Sequence, residues 1–133
     1  MKHLNKYIVV VIVLVTISFG CKKKEDKILG TWKYIYMSAA EMNSTETWMF
    51  NEDKSLIRTK KADTTIAIDT AIWSINKDFF NGSDIVVSDL DEWFDGTYHI
   101  LTLNRKYLIL QRTLLPDGSS AGAFRRAEFK KEK

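Results

Sequence analysis

The chain has 133 residues, of which 20 are basic, 17 acidic and 45% hydrophobic, a length that suits one domain. A single cysteine excludes an internal disulfide, and a net charge of +3 with no Lys/Arg stripe interleaved with aromatics gives no reason to expect a nucleic-acid partner.

The first stretch is unlike the rest. Met1 to Lys6 is a short positive head, Tyr7 to Phe19 is an apolar run of 13 residues, and Gly20 and Cys21 follow. Charged head, apolar run and small residue before a cut are the parts of a secretory signal, here residues 1–20. The run is too short for a membrane span, which needs about 20 residues to cross roughly 30 Å of hydrocarbon. A lone thiol in an oxidising compartment is a liability, so the place of Cys21 directly after the run suggests another use. Ser18-Phe19-Gly20-Cys21 resembles the lipobox of bacterial lipoproteins, although Phe19 is bulkier than usual there. The resemblance implies a diacylglyceryl group on the Cys21 thiol and an acyl chain such as palmitate on the new amino terminus. A membrane is then a partner, held through lipid whose every buried methylene adds about 0.8 kcal/mol.

Cys21 to Lys133 is 113 residues, and without Lys2 and Lys6 the basic residues number 18 against 17 acidic, so the mature domain is nearly neutral. Residues 21–27, Cys-Lys-Lys-Lys-Glu-Asp-Lys, read as a charged, solvated tether. Lys24-Glu25-Asp26 also resembles the signal that sends some lipoproteins to the cell surface. No Asp follows Cys21, so the inner-membrane retention signal is missing. The expected location is the outer membrane, with its periplasmic face and the cell surface both open.

From Ile28 the pattern is that of strands: short runs rich in β-branched and aromatic residues between turn residues. Leu29 to Met37 comes first, with Trp32, Tyr34 and Tyr36 on one face. Thr45 to Asn51 follows, with Trp48 and Phe50 on one face, and Ser55 to Lys61 returns after a turn at Glu52-Asp53-Lys54. In Ile66 to Ile75 the apolar parity shifts from Ile66, Ile68 and Ile72 to Trp73 and Ile75, which predicts a β-bulge or a bend. Asn81-Gly82 is a tight-turn signal. Ile85 to Ser88 is a short strand and Asp89 to Asp95 an acidic loop. Thr97 to Leu103 and Tyr107 to Thr113 form a hairpin across Asn104-Arg105-Lys106, and Leu115 to Gly122 is a loop holding the only proline, Pro116. Ala123 to Lys131 is the last strand. About eight strands with short connections predict antiparallel neighbours, and closure into a barrel removes the exposed edges.

Leu29-Gly30-Thr31-Trp32 at the start of the first strand resembles the Gly-x-Trp signature of lipocalins, and the layout over residues 28–133 resembles the lipocalin-like domains of bacterial lipoproteins. Trp48-x-Phe50-Asn51, Ile72-Trp73-Ser74-Ile75, Tyr98-x-Ile100-Leu101-x-Leu103 and Leu108-Ile109-Leu110 carry the rest of the likeness. It implies an all-β, eight-stranded antiparallel up-and-down barrel of calycin type. It also implies a short 3₁₀ turn at Asp26 to Leu29, a Trp32 that closes the floor, and an Arg of the last strand packed on that indole. Arg125 and Arg126 both qualify, on opposite faces. Gly30 would let backbones approach closely.

The mature chain offers little catalytic or metal-binding chemistry. His99, its one histidine, reads as an ordinary strand residue without a nucleophile motif, and the ligand set of a zinc site is lacking. Asp89-Leu90-Asp91-Glu92-Trp93-Phe94-Asp95-Gly96 has calcium-loop spacing except for Trp93 at an oxygen position, so a solvated acidic loop is the better reading. No enzyme activity, metal or cofactor is expected. A monomer that binds a small apolar ligand is expected instead, with Tyr34, Tyr36, Trp48, Phe50, Tyr98 and Ile100 as inward candidates. The alternative is a filled interior, leaving the barrel surface or its loops to bind a protein or a glycan.

Overall fold

Strict alternation leaves these segments one way to bury their apolar side, and the structure, a computed structural model that describes residues 24–36, 43–78 and 82–133, shows them closed into a barrel. The strands are β1 (Gly30–Tyr34), β2 (Ser44–Phe50), β3 (Ser55–Ala62), β4 (Thr65–Asp78), β5 (Gly82–Ser88), β6 (Gly96–Leu103), β7 (Tyr107–Leu114) and β8 (Ser120–Lys131). Each pairs antiparallel with its neighbours in sequence, and β1 pairs with β8 to close the ring. The expected fold class is therefore the observed one. The signal, Cys21 and the Asn81 half of the expected tight turn lie outside the described residues.

Inward positions explain the core. Trp32, Trp48, Phe50, Leu56, Trp73, Ile85, Val87, Tyr98, Leu108, Leu110 and Phe129 are all buried, and they alternate with more exposed residues along their strands. Their rings meet in a chain. Trp48 lies 5.0 Å from Phe129 and 6.3 Å from Phe50, and Phe50 meets Trp73 edge-on at 5.4 Å. Such pairs add to the area they bury.

The floor is built by the segment before β1. Residues 24–28 form a helical turn, in place of the solvated tether and the 3₁₀ turn expected there. Ile28 is fully buried, and its carbonyl accepts a 2.6 Å hydrogen bond from Trp32 Nε1. Lys24 Nζ donates to Ser83 Oγ at 3.0 Å, and Glu25 pairs with Lys54. Lys131, the register partner of Trp32, sets its Nζ 4.3 Å from the indole centroid and donates to the Leu29 carbonyl. Arg125 and Arg126 do not pack on Trp32. Six and five residues up β8 at about 3.3 Å each, they belong to the other end of the barrel. Gly30 takes φ +107°, and a Cβ there would meet Lys131 Nζ at 2.9 Å, so the glycine serves the floor contact as well as the backbone.

The bulge expected within Ile66 to Ile75 is absent. β4 pairs with β3 from Ala62↔Thr65 to Ser55↔Ile72, and with β5 onward to Asp78↔Gly82, without a slip. Ala71 and Trp73 point inward in one continuous parity with Asp69, while Ile66, Ile68 and Ile72 stand on the outer face, 61%, 65% and 53% exposed. The apparent parity shift arose because Asp69 takes an inward position to pair with Arg58. Register slips occur instead between β6 and β7 and between β7 and β8.

Trp32→Ala should remove the plug of the floor and strand the Ile28 carbonyl. Urea unfolding is expected to show a loss of about 3–5 kcal/mol, the range for large core aromatics. A loss under about 1 kcal/mol would place Trp32 outside the core.

Candidate functional site: the closed mouth

At the end of the barrel opposite Trp32 the inward positions turn polar. Arg58 follows Leu56 on β3, Arg112 follows Leu110 on β7, and Glu46 precedes Trp48 on β2. All three are buried. A buried charge is tolerated only when it is paired and hydrogen-bonded, and the loop between β5 and β6 supplies most of the partners.

Residues 89–95 are folded by their own carboxylates. Asp89 adopts φ 66° as the chain leaves β5. Asp91 Oδ1 accepts from the amides of Trp93 and Phe94 at 2.9 Å each, and Asp95 Oδ1 accepts from Leu90 N at 2.8 Å. The short Asp side chain suits this kind of local turn. The other oxygen of Asp91 meets Arg58 Nη1 at 2.6 Å, while Arg58 Nε and Nη2 donate to Asp69 Oδ2 at 3.0 and 2.7 Å. Arg112 donates to the carbonyls of Trp93 at 3.0 Å and Glu92 at 3.2 Å, and to that of Asp95. Arg125 Nη1 donates to the Trp93 carbonyl at 3.0 Å, with its guanidinium 4.8 Å from the Trp93 ring centroid. Phe94 turns into the barrel, 5.5 Å from Trp48, and its carbonyl accepts from Tyr98 Oη at 2.6 Å. At Gly96, with φ +139°, any Cβ would collide with the Leu114 carbonyl and approach Arg112 Nε at 3.0 Å, so this return to β6 is open only to glycine. The loop is therefore a stopper that three arginines hold in place.

The charges at the mouth support one another. Burial opposes ionisation of Asp91, but the Arg58 ion pair and the amides of Phe94 and Trp93 outweigh it and hold its carboxyl below the ordinary 3.8. Burial likewise opposes the Arg58 charge, and Asp69 and Asp91 more than restore it. Burial pushes the Tyr98 phenol well up, beyond the reach of neutral pH, so it remains a donor to Phe94.

Of the six residues expected to contact a ligand, Tyr34 meets Tyr36 and Trp48 meets Phe50. Trp48, Phe50 and Tyr98 are buried. Tyr34 meets Tyr36 at 5.0 Å and Phe129 at 5.2 Å, both edge-on, and Tyr36 Oη donates to Glu46 at 3.1 Å. Glu46 also accepts from Trp48 Nε1 at 2.7 Å. Ile100 packs half-buried against the core beside the β6–β7 slip. Among the described residues, a cavity of about 180 Å³ lies near the mouth, lined by Tyr34, Phe94, Tyr98, Arg125, Arg126 and Ala127. Arg126 itself is exposed and pairs with Glu128 at 2.8 Å.

Sequence reasoning missed Glu46, Arg58, Asp69 and Arg112, and it read Asp91 as part of a solvated acidic loop where the structure pairs it with Arg58. Arg58 and Arg112 continue the parity of Leu56 and Leu110, and that was the available signal. Of the carboxylates weighed for calcium, Asp91 points at Arg58 and at loop amides and Asp95 at the Leu90 amide, and no group of three or more metal-type ligands occurs among the described residues. His99 Nδ1 lies 2.8 Å from Asp84 across the β5–β6 pair. Comparison with protein-family models, curated proteins and solved structures finds no match for this chain.

Asp91→Asn should free the stopper. Amides of 89–95 are expected to exchange several-fold faster at pH 7, with little change in strand amides. Because the Asp91 carboxyl is held low in the folded state, its contribution is complete above the unfolded value, about 3.9, and is lost as pH falls through the lower folded value. Wild-type protection of the loop should thus be level from pH 7 to about 5 and fall only in stronger acid, whereas the variant should show no such step.

Proposed function

We propose that this protein is a lipid-anchored lipoprotein of the outer membrane. Its lipocalin-like barrel is filled by its own side chains and acts, as a non-catalytic monomer, through its surface and loops to bind a protein or a glycan. The observation that carries the binding mode is the packed interior. Trp48 alone touches Phe50, Phe94 and Phe129, and Phe94 is delivered by the stopper loop. An apolar ligand entering from the mouth would have to displace Phe94 and break the Arg58–Asp91 and Arg112 contacts. The outer face supports a surface role. Ile66, Ile68 and Ile72 form an exposed apolar row on one strand, and contiguous exposed apolar area marks interaction surfaces more often than chance. The anchor rests on the sequence pattern of Met1 to Cys21, and the lipocalin likeness on Gly30, Trp32 and the closed eight-strand ring.

The cavity near Tyr34 and Tyr98 favours a second reading, a small apolar ligand held at the mouth. Its 180 Å³ is below the roughly 300–1,000 Å³ of usual ligand pockets, which is why the filled-barrel reading is preferred.

Two measurements test the proposal. Titrating the purified protein with palmitate or a hydrophobic dye should give no saturable change in tryptophan fluorescence. A saturable response that Tyr34→Ala weakens would establish the ligand reading instead. Cys21→Ala should move the protein from the membrane to the soluble fraction, and unaltered fractionation would remove the anchor.

A further inference from the structure

The floor end of the barrel carries a cleft of about 290 Å³ lined by Arg105, Lys106, Tyr107, Lys130, Lys131, Glu132 and Lys133. Five of these seven residues are cationic and one is acidic. They come together because the β6–β7 turn lies beside the end of β8: Lys130 is the register partner of Tyr107, and Lys131 N donates to the Lys106 carbonyl at 2.8 Å. Lys131 is committed to Trp32 and the Leu29 carbonyl, and burial lowers its pKa. Arg105, Lys106, Lys130 and Lys133 are exposed, and none has an ion pair among the described residues. In a mature chain of 18 basic and 17 acidic residues, such a group is an unneutralised local excess. The carboxylates of the same end, Glu25, Asp26 and Glu52, line a separate pocket with Leu29 and Lys54, where Glu25 pairs with Lys54.

The geometry points to an occupant. The helical turn 24–28 closes this same end, and only Lys22 and Lys23 separate Lys24 from Cys21. Three residue steps reach about 10 Å at most. A lipid on Cys21 therefore brings the floor end, and no other, to the bilayer surface. We propose that the Arg105/Lys106/Lys130/Lys133 cleft seats on the phosphate groups of anionic lipid headgroups, so that the barrel stands floor-down on its membrane with the stopper loop facing away. Tyr107, 42% exposed in the same cleft, is the residue type that settles at headgroup depth. Basic side chains beside a membrane are drawn to anionic lipid over about a Debye length, and salt weakens the attraction. This inference rests on the lipid anchor proposed above.

The test separates the two claims. The full chain, purified from membranes in detergent, is reconstituted with vesicles of phosphatidylcholine alone or of phosphatidylcholine with phosphatidylglycerol. Flotation with the zwitterionic vesicles reports the anchor, since headgroups without net charge give the cleft no surface potential to follow. Acetylation of lysines by a water-soluble reagent, read by mass spectrometry, reports the cleft. On the anionic vesicles Lys106 and Lys130 should label at least roughly threefold more slowly than on zwitterionic ones, with the protection lost in high salt and Lys60 and Lys61, on the mouth half, unchanged. In the variant with Arg105→Gln and Lys133→Gln the protection at Lys106 should shrink. Equal labelling on the two vesicle types would overturn the proposal while leaving the anchor intact. Equal protection by inorganic phosphate without vesicles would overturn the lipid as the source.

Discussion

A closed ring of eight strands has a fixed interior, and the inward side chains must fill it or leave it hollow. Here they are large. Three indoles, Trp32, Trp48 and Trp73, fill it together with Phe50, Phe129 and Tyr98, each at most 2% exposed. The other features answer to this packing. The indole N–H groups require acceptors once buried, and the chain supplies Ile28 O for Trp32, Glu46 for Trp48 and Asn51 O for Trp73. The first ties the helical turn to the floor, the second brings a carboxylate inside, and the third fixes the β2–β3 turn.

The mouth follows from the same need. Arginines at inward positions of β3 and β7 keep the upper half from being wholly apolar, and a buried guanidinium must spend its donors. Asp69 meets part of that demand from the neighbouring strand. The carbonyls of Trp93, Glu92 and Asp95 and the Asp91 carboxylate meet most of the rest, with Arg112 Nε left without a partner among the described residues, and this draws the β5–β6 loop across the opening. A loop so held lowers Phe94 onto Trp48 and completes the apolar core from above.

The barrel was legible because its inward residues are mostly aromatic or aliphatic and its turns carry Asn, Asp or Gly. Trp32 with Tyr34, Trp48 with Phe50 and Leu108 with Leu110 announce their faces by alternation. The parity of β4 was misleading, since Ile66, Ile68 and Ile72 are on the outside and the half-exposed Asp69 takes the parity of Ala71 and Trp73 to reach Arg58. Reading inward as apolar fails wherever a charge pair sits in the core. The arginine expected on Trp32 failed for a related reason: strand parity offered Arg125 or Arg126, but height along β8 is set by the register Trp32↔Lys131, which no single-strand pattern reveals. The stopper was the least legible part. Its contacts join Asp91 to Arg58 and Glu92 to Arg112 across long stretches of sequence, so nothing local distinguishes a latched acidic loop from a solvated one.

The filled interior is the central claim, and the exchange of the four indole N–H protons with deuterated water tests it most directly. Trp32, Trp48 and Trp73 are sealed and hydrogen-bonded, whereas Trp93 is 59% exposed. Three indole signals should persist on the timescale of global unfolding and the Trp93 signal should vanish at once. Rapid loss of the Trp48 signal in the native state would show a barrel open to solvent through its mouth and would contradict the account.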